Sequence, residues 1–223
     1  MSRPPTSDDR PPSGVSRRSF MQTLGLSAAG AAIADRAQAG AERSASTRQP
    51  AGPIVQGPGD VAIELNINGR MMPATIDPAT TLLDCLRVTL GLTGSKQVCD
   101  RASCGACSVL VDGRLVNACM MLALDAVGSQ VTTVEGLATG DQLHPVQTAF
   151  ITHDALQCGY CTPGLIMAAK ALLDRTARPD LKQIRKGLAG NICRCGTYTN
   201  VFNAVLEASG QTAVQDTGTR RPG

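Results

Sequence analysis

Cys99-Asp100-Arg101-Ala102-Ser103-Cys104-Gly105-Ala106-Cys107 sets three thiols on one short loop in a C-x4-C-x2-C pattern. Cys119 follows after eleven intervening residues and supplies a fourth. Further along, Cys158-Gly159-Tyr160-Cys161 and Cys193-Arg194-Cys195 form a C-x2-C pair and a C-x-C pair with 31 residues between them. Eight of the nine cysteines thus fall into two sets of four, and Cys85 stands apart. A disulfide framework is the competing reading. A chain of 223 residues with 43% hydrophobic content has enough core to fold without one, and the cysteine count is odd.

The first set has the plant-type spacing for a 2Fe–2S cluster, with three thiolates on a tight loop and the fourth on a neighbouring strand. Gly105 and Ala106 keep that loop small, so backbone N–H groups can approach the cluster sulfurs. Zinc is the alternative, but a zinc ribbon pairs two C-x2-C knuckles and this loop does not. For the second set, spacing alone leaves zinc open. Its placement speaks for iron: Cys161 leads through Thr162-Pro163 into one predicted helix, and Cys195 leads through Gly196-Thr197 into another. Helix N-termini present orphan N–H groups and the positive end of the dipole, which favour an anionic thiolate cage. Two clusters in one small chain make a path for single electrons.

Around the first loop the pattern has a period of two. Val61, Ile63, Leu65 and Ile67 alternate with polar residues, Asn68-Gly69 is a hairpin signal, and Arg70–Ile76 returns until Asp77-Pro78. Thr81 and Asp84 resemble a capping box for a helix with Leu82, Leu83, Leu86 and Leu90 on one face, stopping at Gly91. A second hairpin runs from Ser108–Val111 through Asp112-Gly113 to Leu115–Ala118, and Val131–Val134 reads as a last strand. Two hairpins, one helix and a long cysteine loop fit the β-grasp layout of plant-type ferredoxins. From Leu143 the pattern turns helical, with segments opening at His144-Pro145, near Pro163, at Leu181–Leu188 and at Val201–Leu206. The fold class is α+β: a β-grasp, ferredoxin-like domain over 60–137 followed by an all-α, four-helix domain over 138–209.

The ends point to export. Ser16-Arg17-Arg18-Ser19-Phe20-Met21 matches a twin-arginine signal, a mild apolar run spans Leu24 to Ile33, and Ala37-Gln38-Ala39 is a small-x-small cleavage site. Residues 1–39 are therefore read as a twin-arginine signal peptide and 40–59 as a flexible linker. Residues 210–223 read as a disordered tail. The twin-arginine machinery carries folded proteins, so clusters assembled in the cytosol reach the periplasm with their thiolates already committed. The leader holds five of the 21 basic and three of the 18 acidic residues, which leaves 16 and 15 and a net charge of +1. That balance excludes a nucleic-acid footprint or a polybasic membrane patch. With only three Phe and two Tyr, base-stacking platforms are also excluded. No GxGxxG, P-loop or nucleophile elbow occurs.

Gln157-Cys158-Gly159-Tyr160-Cys161-Thr162-Pro163-Gly164 and Gly190-Asn191-Ile192-Cys193-Arg194-Cys195-Gly196, joined to the first loop, resemble the signature of the iron–sulfur subunit of xanthine oxidase family molybdenum hydroxylases. The resemblance covers Asp60 to Ser209 and, with the leader, is greatest to the small subunit of a periplasmic aldehyde oxidoreductase. It implies a large molybdopterin-binding subunit, a medium FAD-binding subunit, and single electrons passing from molybdenum through two 2Fe–2S clusters to FAD. It implies that the cluster of the helical half lies nearer molybdenum, and that Gln157 contacts the pterin. Two residues depart from the family's pattern: Val98 and Ala102 stand where glycine is common, and positive φ there would carry strain. N-heterocycle hydroxylases and carbon monoxide dehydrogenases use the same kind of subunit. A free periplasmic ferredoxin-type carrier is an alternative, but it leaves the helical half unexplained. Cys85 reads as a buried small hydrophobe, and His144 and His153 as structural or exposed. Met71-Met72 and Met120-Met121 read as core or interface. The role of Arg194 stays open between tuning the second cluster and capping a turn.

Overall fold

Alternation at the start of the first hairpin becomes a strand because one of its faces is covered. The computed structural model describes residues 57–212. The leader, most of the 40–59 linker and residues 213–223 lie outside the described residues. In β1, Val61–Ile67, the inward Ile63, Leu65 and Ile67 are buried. Asn68 (φ +53°) and Gly69 (φ +77°) form the two-residue turn into β2, Arg70–Ile76. β2 is an edge strand, and this is why it tolerates Pro73 opposite Glu64. The second hairpin, β3 (Ser108–Val111) and β4 (Arg114–Asn117), turns through left-handed Asp112 and Gly113. With β5 (Gln130–Thr132) these make a five-stranded sheet in the order β2-β1-β5-β3-β4. β5 runs parallel to β1 and antiparallel to β3.

The helix after β2 starts as predicted. The Thr81 hydroxyl accepts from the Asp84 N–H (3.1 Å) and donates to the Asp84 carboxylate (2.7 Å). After one α-turn, α1 (Leu82–Asp84), the chain widens into a π-turn over Cys85–Thr89, where the Leu90 N–H donates to the Cys85 carbonyl at 2.9 Å. The wider turn keeps Leu82, Leu83, Cys85 and Leu86 all in the core against the sheet.

The last strand is shorter than the apolar pattern of 131–134 predicts. Buried Thr133 leaves the ladder because the Asn68 side chain takes over its pairing: Oδ1 accepts from the Thr133 N–H (2.8 Å) and Nδ2 donates to its hydroxyl (3.0 Å). Val134–Leu137 then forms a 3-10 turn.

Four helices follow: α2 (Pro145–Thr152), α3 (Thr162–Arg175), α4 (Leu181–Gly187) and α5 (Tyr198–Ala208). His144 and Asp180 cap α2 and α4 in reciprocal capping boxes with Gln147 and Gln183. Phe150, Leu165, Met167, Ile184, Leu188, Val201 and Val205 form their core. Strand β3 serves both cores, with Val109 and Val111 in the sheet–α1 core and Leu110 in the helical one. That double burial explains why β3 reads as an unbroken apolar run. No helix among the described residues is long and apolar enough to cross a membrane.

Candidate metal centres

The first cysteine loop is held from both sides before it reaches its thiols. The Arg87 guanidinium, on the π-turn, donates to the Thr93 (2.8 Å) and Ser95 (2.6 Å) carbonyls. Glu135 accepts from the Gly94 N–H at 2.7 Å. Left-handed Asp100 (φ +49°), Ala102 (φ +55°) and Gly105 (φ +69°) then curl the loop on itself. Ala102 therefore carries the anticipated strain, while Val98 is not among the left-handed residues. The curl aims the Ala102 N–H at Cys119 Sγ, 3.4 Å away. Cys119 sits in a 3-10 turn, Ala118–Met120, directly after β4.

Within this set the thiols meet two by two. Cys99 and Cys104 lie near enough to shift each other's ionisation, and Cys107 feels Cys119 and, less strongly, Cys104. The first pair is half-buried; in the second, Cys107 is 2% and Cys119 6% exposed. A hydrogen bond from the Arg101 backbone, with the Cys104 thiol, brings Cys99 down to about 7. Burial pushes Cys107 up to about 12.

The second set draws two thiols from each of two helix starts. Cys161 is the N-cap of α3, and Cys193-Arg194-Cys195 turns through left-handed Gly196 to Thr197, the N-cap of α5. Tyr198 Oη accepts from the Cys193 N–H at 2.8 Å, and Cys193 Sγ lies 3.2 Å from Thr197 Oγ1. Here too the thiols pair, Cys158 with Cys195 and Cys161 with Cys193. The first pair is exposed; Cys161 is half-buried and Cys193 buried. Burial works against ionisation of Cys193, yet hydrogen bonds from Thr197 and Cys161 bring it to about 7. Burial pushes Cys161 up to about 12.

Among the described residues no three Cys, His, Asp or Glu side chains converge on the spacing of a single ion. Two pairs of thiols per set instead suit a two-iron cluster in which each iron takes one pair. Two further observations fit such a group. The Thr162 hydroxyl beside Cys161 is buried and has no hydrogen-bond partner among the described residues, which suits a sulfur acceptor. The Ala102 N–H already points at a ligand sulfur.

Gln157 is exposed beside the exposed Cys158–Cys195 pair, within reach of a docked protein. Cys85 is fully buried in the α1 core, as a small hydrophobe, and burial raises its thiol. The His144 imidazole caps α2, while His153 ends it and pairs with Glu207. Met71 and Met120 are exposed, whereas Met72 and Met121 pack on the sheet core. Sequence reasoning assigns no role to Gly164 or Asn191. In the structure both lie where the two cysteine sets touch: a Cβ on Gly164 would overlap the Gly105 carbonyl oxygen, and Asn191 Nδ2 donates to that oxygen at 2.8 Å. Their only signal in the sequence is their place beside the cysteines.

Thiols gathered at two sites in a small α+β chain are the arrangement expected of an iron–sulfur protein. The family model described as a [2Fe-2S] binding domain matches residues 133–206, which contain the second set. The chain is 40% identical over 212 residues to the aldehyde oxidoreductase iron-sulfur-binding subunit PaoA of Escherichia coli K12, covering 88% of this chain and 89% of that protein. It is 42% identical to the nicotinate dehydrogenase small FeS subunit of Eubacterium barkeri over 66% of this chain and 94% of that one. Among solved structures, quinoline 2-oxidoreductase from Pseudomonas putida 86 matches with a TM-score of 0.64 and 37% identity, over 70% of this chain and 99% of the matched chain. The chain belongs to the iron–sulfur subunits of the xanthine oxidase family of molybdenum hydroxylases.

Proposed function

We propose that this chain is the electron-transfer subunit of a periplasmic molybdenum hydroxylase that oxidises aldehydes to carboxylic acids. In this reading it holds two 2Fe–2S clusters, one on Cys99, Cys104, Cys107 and Cys119 and one on Cys158, Cys161, Cys193 and Cys195. The observation that carries it is that the fold gathers each set: the Ala102 N–H of the first loop meets Cys119 Sγ, Cys107 lies near both Cys119 and Cys104, and Cys161 lies near both Cys193 and Cys158. Each cluster supplies a one-electron acceptor and donor. The chain's own residues would hold and insulate it: the Ala102 N–H points at Cys119 Sγ, the Thr197 hydroxyl lies against Cys193 Sγ, the partnerless Thr162 hydroxyl has a proton to give to a bound sulfur, and the buried Cys107, Cys119 and Cys193 would keep water from one side of each cage. The sheet half, with parallel β1 and β5, is read as the ferredoxin β-grasp.

Exposure of Gln157, Cys158 and Cys195 supports docking of the helical set onto a molybdopterin-binding subunit, with the pterin beside Gln157. An FAD-binding subunit would take electrons from the first set. The leader at 16–39 supports export by the twin-arginine machinery to the periplasm. Similarity to PaoA over most of both chains favours aldehydes. Similarity to nicotinate dehydrogenase and quinoline oxidoreductase chains favours, as a second reading, the same role in an N-heterocycle hydroxylase.

The test is to recover the tagged full-length chain from the periplasm of its native host with its bound subunits. Molybdenum and FAD in the complex, with aldehyde turnover exceeding N-heterocycle turnover, is the expected result. Iron without molybdenum or any large subunit points to a free carrier and contradicts the proposal. The opposite substrate preference moves the chain to the second reading.

A further inference from the structure

Thr197 holds the N-cap position of α5, where a threonine hydroxyl ordinarily accepts from the N–H two or three residues further on. It makes no such bond here. Its Oγ1 lies instead 3.2 Å from Cys193 Sγ. The turn that brings it back runs through left-handed Gly196 (φ +82°), whose N–H donates to the Cys193 carbonyl at 3.3 Å. The Cys193 N–H is already engaged, because Tyr198 Oη accepts it at 2.8 Å. A residue suited to capping has thus turned its hydroxyl onto a sulfur. That sulfur belongs to the buried side of the second set: Cys193 is 6% exposed, whereas Cys158 and Cys195 face solvent. Water can hydrogen-bond the exposed sulfurs, but a donor for the buried one has to come from the chain.

We infer that the Thr197 hydroxyl donates to the Cys193 thiolate when the second cluster is bound, and that it raises the reduction potential of that cluster. The inference rests on the two-cluster reading above. Between a thiol and a hydroxyl either atom can donate. A thiolate committed to iron has no proton, so the hydroxyl is left as the donor. One electron enters the cluster, which is reduced, from the molybdopterin-binding subunit of the proposed complex, which is oxidised. No covalent bond forms or breaks, and the Thr197 proton stays on its oxygen. The added negative charge falls partly on the ligand sulfurs. A donor aimed at one of them stabilises the reduced form more than the oxidised form, and hydrogen bonds to sulfur are among the factors that set such potentials. Burial of Cys193 strengthens the effect, because the bond acts in a medium less polar than water. In the first set the donor to Cys119 Sγ is the backbone N–H of Ala102. Thr197 is therefore a positioning residue that acts through the Cys193 sulfur on the second cluster alone.

The experiment is an anaerobic redox titration of the full-length chain loaded with both clusters, followed by EPR. The signal of the second cluster is the one that Cys161→Ser abolishes or transforms. Thr197→Val should lower the midpoint potential of that signal and leave the other signal and the iron content unchanged. Thr197→Ser keeps a hydroxyl and should retain the unmodified potential. ENDOR of the reduced second cluster in the unmodified chain should show a coupled proton that exchanges in deuterium oxide and is missing in Thr197→Val. An unchanged or raised potential in Thr197→Val overturns the inference. So does an equal fall in Thr197→Ser, which would mean that the residue acts through its shape. Absence of any exchangeable coupled proton in the unmodified chain overturns it without recourse to a variant. Absence of two iron–sulfur signals in the unmodified chain sinks the two-cluster reading instead, so the two failures are distinguishable.

Discussion

The two cysteine sets reach the same pairing by different means. The first hangs three thiols on one loop curled by left-handed Asp100, Ala102 and Gly105, and borrows the fourth from the turn after β4. The second takes two thiols from each of two helix starts and relies on the packing of α3 against its neighbours to bring them together. A locally wound cage depends on backbone strain. A cage assembled from helices depends on tertiary structure, and it gains N–H groups and hydroxyls from the helix starts. The two should therefore fail separately and under different insults.

The sharpest way to break this comparison is to remove one ligand from the half-buried or buried side. Cys161→Ser should abolish or transform one of two reduced EPR signals and leave the other unchanged. Survival of both signals would show that the helical set holds no cluster. Leu110→Ala addresses the strand shared by both cores, where Leu110 is 5% exposed in the helical one. It should cost about 2–5 kcal/mol, read by denaturant unfolding of the loaded chain, and loosen the helical set before the first. Equal loss from both signals would mean that the cages do not depend differently on packing.

Tyr198→Phe removes the acceptor of the Cys193 N–H. Leaving that donor unmet should cost about 1–3 kcal/mol and shift the potential of the second cluster alone, measured by redox titration. Ala102→Gly goes the other way. With φ at +55°, glycine should relieve about 1 kcal/mol of strain and slow loss of iron from the first set only. Unchanged iron loss would mean that the surrounding contacts already absorb the strain.

The smallest effect concerns pH. Burial, then the nearby Lys170, hold the His144 imidazole below its ordinary 6.5, with Asp174 acting in the opposite sense. The folded chain therefore binds fewer protons than the unfolded one, and stability is lost as pH falls through 6.5 toward the folded value. Protonation also blocks the Nδ1 that accepts from the Val146 N–H. His144→Asn keeps a capping acceptor and should flatten this part of the acid stability profile, followed by circular dichroism. An unchanged slope would place the acid sensitivity elsewhere.

Local chemistry made the first half legible. Asn68-Gly69, Asp112-Gly113 and the alternation of β1 each encode their geometry within a few residues, and three cysteines of the first set fall within residues 99–107. The long-range choices were hidden. Nothing in Val131–Val134 reveals that Asn68 will capture Thr133, because that contact spans 65 residues. The π-turn at Cys85–Thr89 follows from packing four side chains on the sheet rather than from helix periodicity. In the second set the cysteines were visible, but the partnering of Cys158 with Cys195 and of Cys161 with Cys193 emerges only once α3 and α5 are docked. The clasp of Asn191 on Gly105 crosses between the two halves and left no pattern to read.

The most direct test of two clusters on eight thiols is a joint count of iron, acid-labile sulfide and unpaired spins in the fully reduced full-length chain. About four irons, about four sulfides and about two spins per chain are predicted. About two irons with one spin, or zinc in place of iron, would contradict the account.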